Sequence, residues 1–174
     1  MKSLKNTNNL VIFDLDGVLI DSMPNMKKSW KEVAKRLDLK QSFEEYIKYL
    51  GLPFEEILKK IGIKEKKLIK KIKKIYEANS IKNIKKIKFY SGFKYILKYL
   101  KKKDYRLSII TSKNKKRTEL ILGEFKNFFD TINTPELKIK GKPHPDQIFY
   151  AIRKSNSSIK RTFFIGDSIF DKLA

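Results

Sequence analysis

The feature that most constrains this chain is the apolar run Leu10-Val11-Ile12-Phe13, which stops abruptly at Asp14-Leu15-Asp16-Gly17. A short continuous apolar run, with no polar alternation, is what a strand covered on both faces requires. Two acids and a glycine directly behind such a strand are not core material. A chain opening this way needs parallel neighbours for the strand and helices to cover its two faces.

The later sequence supplies both. Arg106 to Ile110 reads as a second strand, ending at Thr111-Ser112. Phe128 to Ile132 reads as a weaker third, and Thr162 to Ile165 as a last, ending at Gly166-Asp167-Ser168. Helical patterns fall between them. Phe93, Ile96, Leu97 and Leu100 point inward after Ser91-Gly92, a helix spans about Lys115 to Leu122, and Pro145 opens one through Ile148, Phe149 and Ile152. Strands alternating with helices predict an α/β fold with a Rossmann-like parallel sheet.

Residues 22–88 break that alternation. Met26, Trp30, Val33, Ala34 and Leu37 share one helical face behind Pro24. Ser42 with Glu45 forms a capping box, opening a helix with Phe43, Tyr46, Ile47 and Leu50 inward, which Gly51 stops. Pro53 opens a third helix (Phe54, Ile57, Leu58, Ile61), and Leu68, Ile69, Ile72, Ile75 and Tyr76 mark a fourth. The expected organisation is a four-helix insert over residues 22–88 in a core made of 1–21 and 89–174.

Composition narrows the chemistry. There are no cysteines and one histidine, which removes thiolate catalysis, disulfides and a zinc site built on Cys or His. Residues Met1 to Asn9 are polar, and no apolar run is long enough to span a bilayer. A soluble, cytoplasmic protein with no membrane partner is expected. The net charge is +22, but residues 22–88 carry +12 of it and the remainder +10. An excess spread this evenly, mostly as Lys, does not make a nucleic-acid-binding patch, so nucleic acid is an unlikely partner. It does make a field that draws in anions.

In an open parallel sheet, ligands sit beyond the C-terminal ends of the strands. The predicted strands bring Asp14 and Asp16, then Thr111 and Ser112, then Asp167 with Asp171 to that edge. Lys142, in a Gly-Lys-Pro loop, joins them. Read alone, Thr111 is a helix N-cap and Lys142 a solvated lysine. His144 reads as a loop side chain. Together the set is a carboxylate cluster that needs a cation, and all-oxygen ligation favours Mg²⁺. A metal, a lysine and a threonine beside a carboxylate make a site for phosphate.

Val-Ile-Phe-Asp14-Leu-Asp16-Gly17, Ile-Ile-Thr111-Ser112, Gly-Lys142-Pro-His-Pro-Asp and Ile-Gly-Asp167-Ser-Ile-Phe-Asp171 resemble, in this order, the four motifs of the haloacid dehalogenase superfamily. The insert behind the first motif resembles its helical-cap subclass, which includes phosphoglycolate phosphatase and β-phosphoglucomutase. The resemblance implies that Asp14 attacks phosphorus, that Asp16 acts as acid and base, and that Thr111, Ser112 and Lys142 hold the phosphoryl oxygens. It implies Mg²⁺ held by Asp14, the main-chain carbonyl of Asp16, and Asp167, with Asp171 supporting. It further implies a small phosphorylated metabolite as substrate, of phosphoglycolate or sugar phosphate type. Substrate choice then rests with the cap, where Ser22 to Lys28 and the turn Gly51-Leu52-Pro53-Phe54 are candidates to face the site. A monomer or weak homodimer is expected.

Two departures from the family pattern matter. β-Phosphoglucomutases carry a histidine ten residues after the second Asp, and here that position is Met26, which favours a phosphatase over the mutase alternative. Family members also continue beyond the fourth motif with more helix, a strand and a final helix. The sequence given stops at Ala174, so the C-terminal part of the core is expected to be missing, with one sheet edge open and apolar surface exposed. A catalytically silent homologue acting as a binding module is the alternative this raises.

Overall fold

The computed structural model describes residues 8–174. Of the polar stretch Met1 to Asn9, residues 1–7 lie outside the described residues. Strand β1 (Asn8–Phe13) is central, with Leu10 to Phe13 all buried. The chain then forms β2 (Ile20–Asp21), α1 (Met23–Leu37), α2 (Phe43–Ile47), α3 (Phe54–Lys60), α4 (Lys66–Lys82) and β3 (Lys88–Phe89). It continues through α5 (Phe93–Lys102), β4 (Arg106–Ile110), α6 (Lys115–Leu122), β5 (Thr131–Asn133), α7 (Asp146–Lys154), β6 (Ser157–Ile165) and α8 (Ile169–Leu173).

The main sheet is parallel, in the order β5-β4-β1-β6. Its two faces explain the uninterrupted apolar character of β1. Val11 and Phe13 pack with Leu97, Leu107, Ile109 and Phe93 on one side. Leu10 and Ile12 pack with Ile110 and Ala151 on the other. The alternation of side chains along a strand sends successive residues into different cores, so every position must be apolar.

Helices α1 to α4 gather around a separate apolar cluster of Trp30, Val33, Tyr46, Leu58, Ile72 and Tyr76. Trp30 and Tyr46 stack at 4.7 Å, and the indole N–H of Trp30 donates to the carbonyl of Gln41. Ser42 and Glu45 make the expected capping box at α2. The two chain passages linking these helices to the sheet are zipped by a two-residue antiparallel ribbon, β2 with β3, which periodicity did not announce.

Some expectations shift. The third strand is Thr131–Asn133, not Phe128 to Ile132, because Phe128 closes a 3₁₀ segment over Gly123–Phe128. The last strand is longer than expected, starting at Ser157. Ile96 and Phe149 do not point inward and are exposed. In α7 the buried pair is Gln147 and Ala151, one helical turn apart, which turns Phe149 to the far side. β6 is an edge strand, and its Phe163 and Ile165 are exposed. Among the described residues no helix is long and apolar enough to cross a membrane.

Candidate active site

The site lies where β1, β4 and β6 end. Asp14 follows β1 directly and is buried. Its N–H donates to the carbonyl of Ile165, and its Oδ1 accepts from the N–H of Leu15 at 2.7 Å. The turn behind it is tight. The N–H of Gly17 donates to the Ile20 carbonyl, and Gly17 sits at φ +80°. A Cβ there would collide with the Asp167 carboxylate, so glycine is required both by conformation and by close approach.

Lys142 reaches the same point from the loop before α7. Its ammonium lies 3.0 Å from Asp14 Oδ1 and 2.6 Å from Asp171 Oδ1. The other Asp171 oxygen accepts from the N–H and hydroxyl of Ser168, which fixes the start of α8. Asp14, Asp167 and Asp171 each offer a carboxylate oxygen within 4.8 Å of the others. Asp167 remains exposed while the other two are buried.

The charges interact strongly. Burial, reinforced by Asp16 and Asp171 and only partly opposed by Lys142, pushes Asp14 up to about 7. Burial and the neighbouring Asp171 likewise raise Asp167. Burial also works to raise Asp171, but the Lys142 ammonium overcomes it and holds that carboxyl low. Carboxylates raised chiefly by burial, and further by one another, are what a cation entering the cluster would relieve, and an all-oxygen donor set of this kind suits Mg²⁺.

Asp16 is set differently. It accepts a short hydrogen bond from the Ser22 hydroxyl and pairs with Lys113 Nζ at 3.0 Å. Burial acts to raise Asp16, yet Lys113 and Ser22 together keep it below the usual carboxylate range. Burial lowers Lys113 to about 8, with Arg117 adding to the effect.

Thr111 is buried and its hydroxyl accepts from the Lys113 N–H at 3.2 Å. It is not a helix cap, because Asn114 caps α6 instead. The Ser112 hydroxyl donates to the Gly51 carbonyl at 2.6 Å, tying the sheet edge to the turn between α2 and α3. Gly51, Leu52 and Pro53 line a cavity of about 380 Å³ together with Asp14, Asp16 and Thr111. From α1, Ser22, Met23 and Met26 also line it. Phe54 both lines the cavity and packs on Tyr76 at 4.9 Å. His144 stays exposed and outside the cavity.

Two buried cations of the cavity escaped sequence reading. Lys113 directly follows Thr111-Ser112, but one lysine among so many carries no signal. Arg117 was the findable one. It is one of five arginines in a lysine-rich chain, three residues behind a helix cap, and it is buried.

The sequence profile of the haloacid dehalogenase-like hydrolases matches residues 11–174. The chain belongs to that family. A Clostridium perfringens protein provisionally named pyrophosphatase PpaX is 33% identical, over 94% of this chain and 77% of that one. A phosphoglycolate phosphatase of Haemophilus influenzae is 25% identical, over 95% of this chain and 80% of its own length. A hydrolase of Pseudomonas syringae superposes with a TM-score of 0.85 at 25% identity, covering 95% of this chain and 79% of that one. This chain is accordingly an enzyme of the phosphatase branch of the haloacid dehalogenase-like hydrolases.

Proposed function

We propose that this enzyme hydrolyses a small phosphorylated metabolite, of the phosphoglycolate or sugar phosphate type, through a phosphorylated Asp14. The observation that carries the reading is the Lys142 ammonium bridging Asp14 and Asp171, with Asp16 held separately by Lys113 and Ser22. One carboxylate is thereby positioned to attack and another to move protons.

In this reading Asp14, already fixed by the N–H of Leu15, attacks phosphorus and the bond to the leaving oxygen breaks. Asp16 delivers a proton to that oxygen. In the second half, Asp16 takes a proton from water as the water attacks phosphorus, and Asp14 is regenerated with release of phosphate. The low-lying Asp16 suits it to the second step. The arriving phosphoryl charge beside it favours the protonated form that the first step needs. Lys142, Thr111 and the main chain of Ser112 hold the phosphoryl oxygens as charge develops on them.

Asp14, Asp167 and the main-chain carbonyl of Asp16 would hold Mg²⁺, with Asp171 in support, and the ion would supply positive charge to the phosphoryl group. The helices α1 to α4 act as a cap, with the Gly51-Leu52-Pro53 turn facing the substrate and excluding water. Trp30 is absorbed by the helical core and Met26 stands where a mutase has histidine, so hydrolysis is favoured over phosphosugar isomerisation.

The test is phosphate release from a panel of small phosphoesters, with and without Mg²⁺. Turnover should require the metal, and Asp14→Asn should reduce it to background. Equal rates in the variant, or turnover that survives chelation, would overturn the reading.

A further inference from the structure

Three cations with buried side chains line the cavity: Lys113, Lys142 and Arg117. Lys142 is matched by Asp14 and Asp171, and Lys113 by Asp16. Arg117 makes no salt bridge among the described residues. Its Nε and Nη2 are buried and lack any hydrogen-bond partner. The guanidinium lies 5.4 Å from the centre of the Tyr76 ring, so it rests on the cap while Nε and Nη2 are unused.

Buried guanidinium donors are seldom left unpaired, because the cation has lost its water and gained nothing in exchange. The position is built rather than accidental. The N–H of Arg117 is the one capped by Asn114 Oδ1, and Asn114 in turn donates to Glu77 of α4. A side chain in the first turn of a helix leans back toward the helix start, which here is the end of β4 beside Thr111. The site already holds Lys142 and Thr111 for one phosphoryl group. A further cation, set toward the cap, therefore faces the part of the substrate that leaves.

We propose that Arg117 receives a second anionic group, carried by the leaving portion of the substrate. This rests on the phosphatase reading and sharpens it. The substrate class becomes a small phosphoester or phosphoanhydride whose leaving group itself bears a carboxylate or a phosphate. Arg117 turns its donor edge into the cavity when that anion arrives, and the Tyr76 ring keeps the guanidinium in place meanwhile. Substrates with a neutral leaving group gain nothing from it.

The experiment compares 2-phosphoglycolate (carboxylate) and inorganic pyrophosphate (phosphate) with p-nitrophenyl phosphate (no charged group on the leaving portion of the bound substrate), using wild type, Arg117→Met and Arg117→Lys. The ratio of kcat/KM for the better anionic substrate to that for p-nitrophenyl phosphate should fall about 10- to 100-fold in Arg117→Met, the worth of a charge-assisted hydrogen bond. Arg117→Lys should recover part of that ratio. Which anionic substrate carries the effect names the anion. Calorimetric binding of both anions, and of ethyl phosphate, to Asp14→Asn with and without Arg117→Met gives a readout independent of turnover. Loss of selective binding in the double variant would uphold the proposal even if the wild type released no phosphate. Turnover whose substrate ratio is unchanged in folded Arg117→Met, as judged by circular dichroism, would overturn it and leave the phosphatase reading intact.

Discussion

Asp130 shows how much a single side chain does at the opposite, N-terminal end of β4. Its carboxylate accepts from Lys101, from Arg106 and from the main-chain N–H of Leu107, each at 2.9 Å. Partial burial tends to raise it, but these donors prevail and hold it below the ordinary carboxylate range. A carboxyl lowered by folding stabilises the native state above its unfolded pKa and loses that contribution as pH falls through the folded value. Asp130→Asn should cost about 1–2 kcal/mol at pH 7. The gap between the two proteins' urea midpoints should close only below about pH 4. A gap that stayed constant down to pH 3 would mean that the loss does not come from the ionised carboxylate, and no gap at pH 7 would mean that the amide serves as well as the anion. At this scale the sequence was informative where residue type is scarce and position special. Asp14 and Asp16 behind an apolar run were legible because acids there have no structural use. Lys113 was not, since its role depends on burial and sequence alone does not show which lysine is buried.

Between elements, the junction of α1 and α4 is made by buried polar side chains centred on Asn25. Asn25 is fully buried, donates to the carbonyls of Ser80 and Asn83 at 2.9 Å, and accepts from the Ser80 hydroxyl at 2.7 Å. Replacing it strands three buried polar atoms at the end of α4. Asn25→Ala should destabilise the protein by about 2–4 kcal/mol, seen as a lower urea midpoint. A smaller loss would mean that water enters and takes over the bonds. This joint was invisible in the sequence because Asn near a helix start reads as an ordinary polar position. The four helices themselves were legible, since their apolar residues repeat at helical spacing and Ser42 and Glu45 mark a start. The β2–β3 ribbon was not, as two residues per strand give no period to read. The strand Thr131–Asn133 was expected to start three residues too early for a related reason. The stretch before it, Phe125 to Phe128, has strand-like composition but packs as a 3₁₀ segment against α5.

The whole molecule carries +22, and its reacting partner is an anion. Long-range attraction should therefore raise the encounter rate, and salt should remove it. Raising KCl from about 0.02 to 0.3 M should lower kcat/KM several-fold, with kcat nearly constant. A flat response would show that the lysines' field does not reach the cavity. The parallel fold was legible as a whole because one strand with no polar face already demands it. The placement of strands in the sheet was not, since pairing depends on contacts between distant stretches. That placement has a consequence for how the protein is made. β1 leaves the ribosome first, and its neighbours β4 and β6 follow only later. The hydroxyl of Ser157 closes onto the carbonyl of Asn8 across 149 residues. Until then the chain carries a naked apolar segment, with Asp14 attached, while the helical insert, which has its own apolar centre, is already synthesised. The site at the strand ends therefore cannot form until β6 has been synthesised, and until then the nascent chain is most in need of a chaperone at β1.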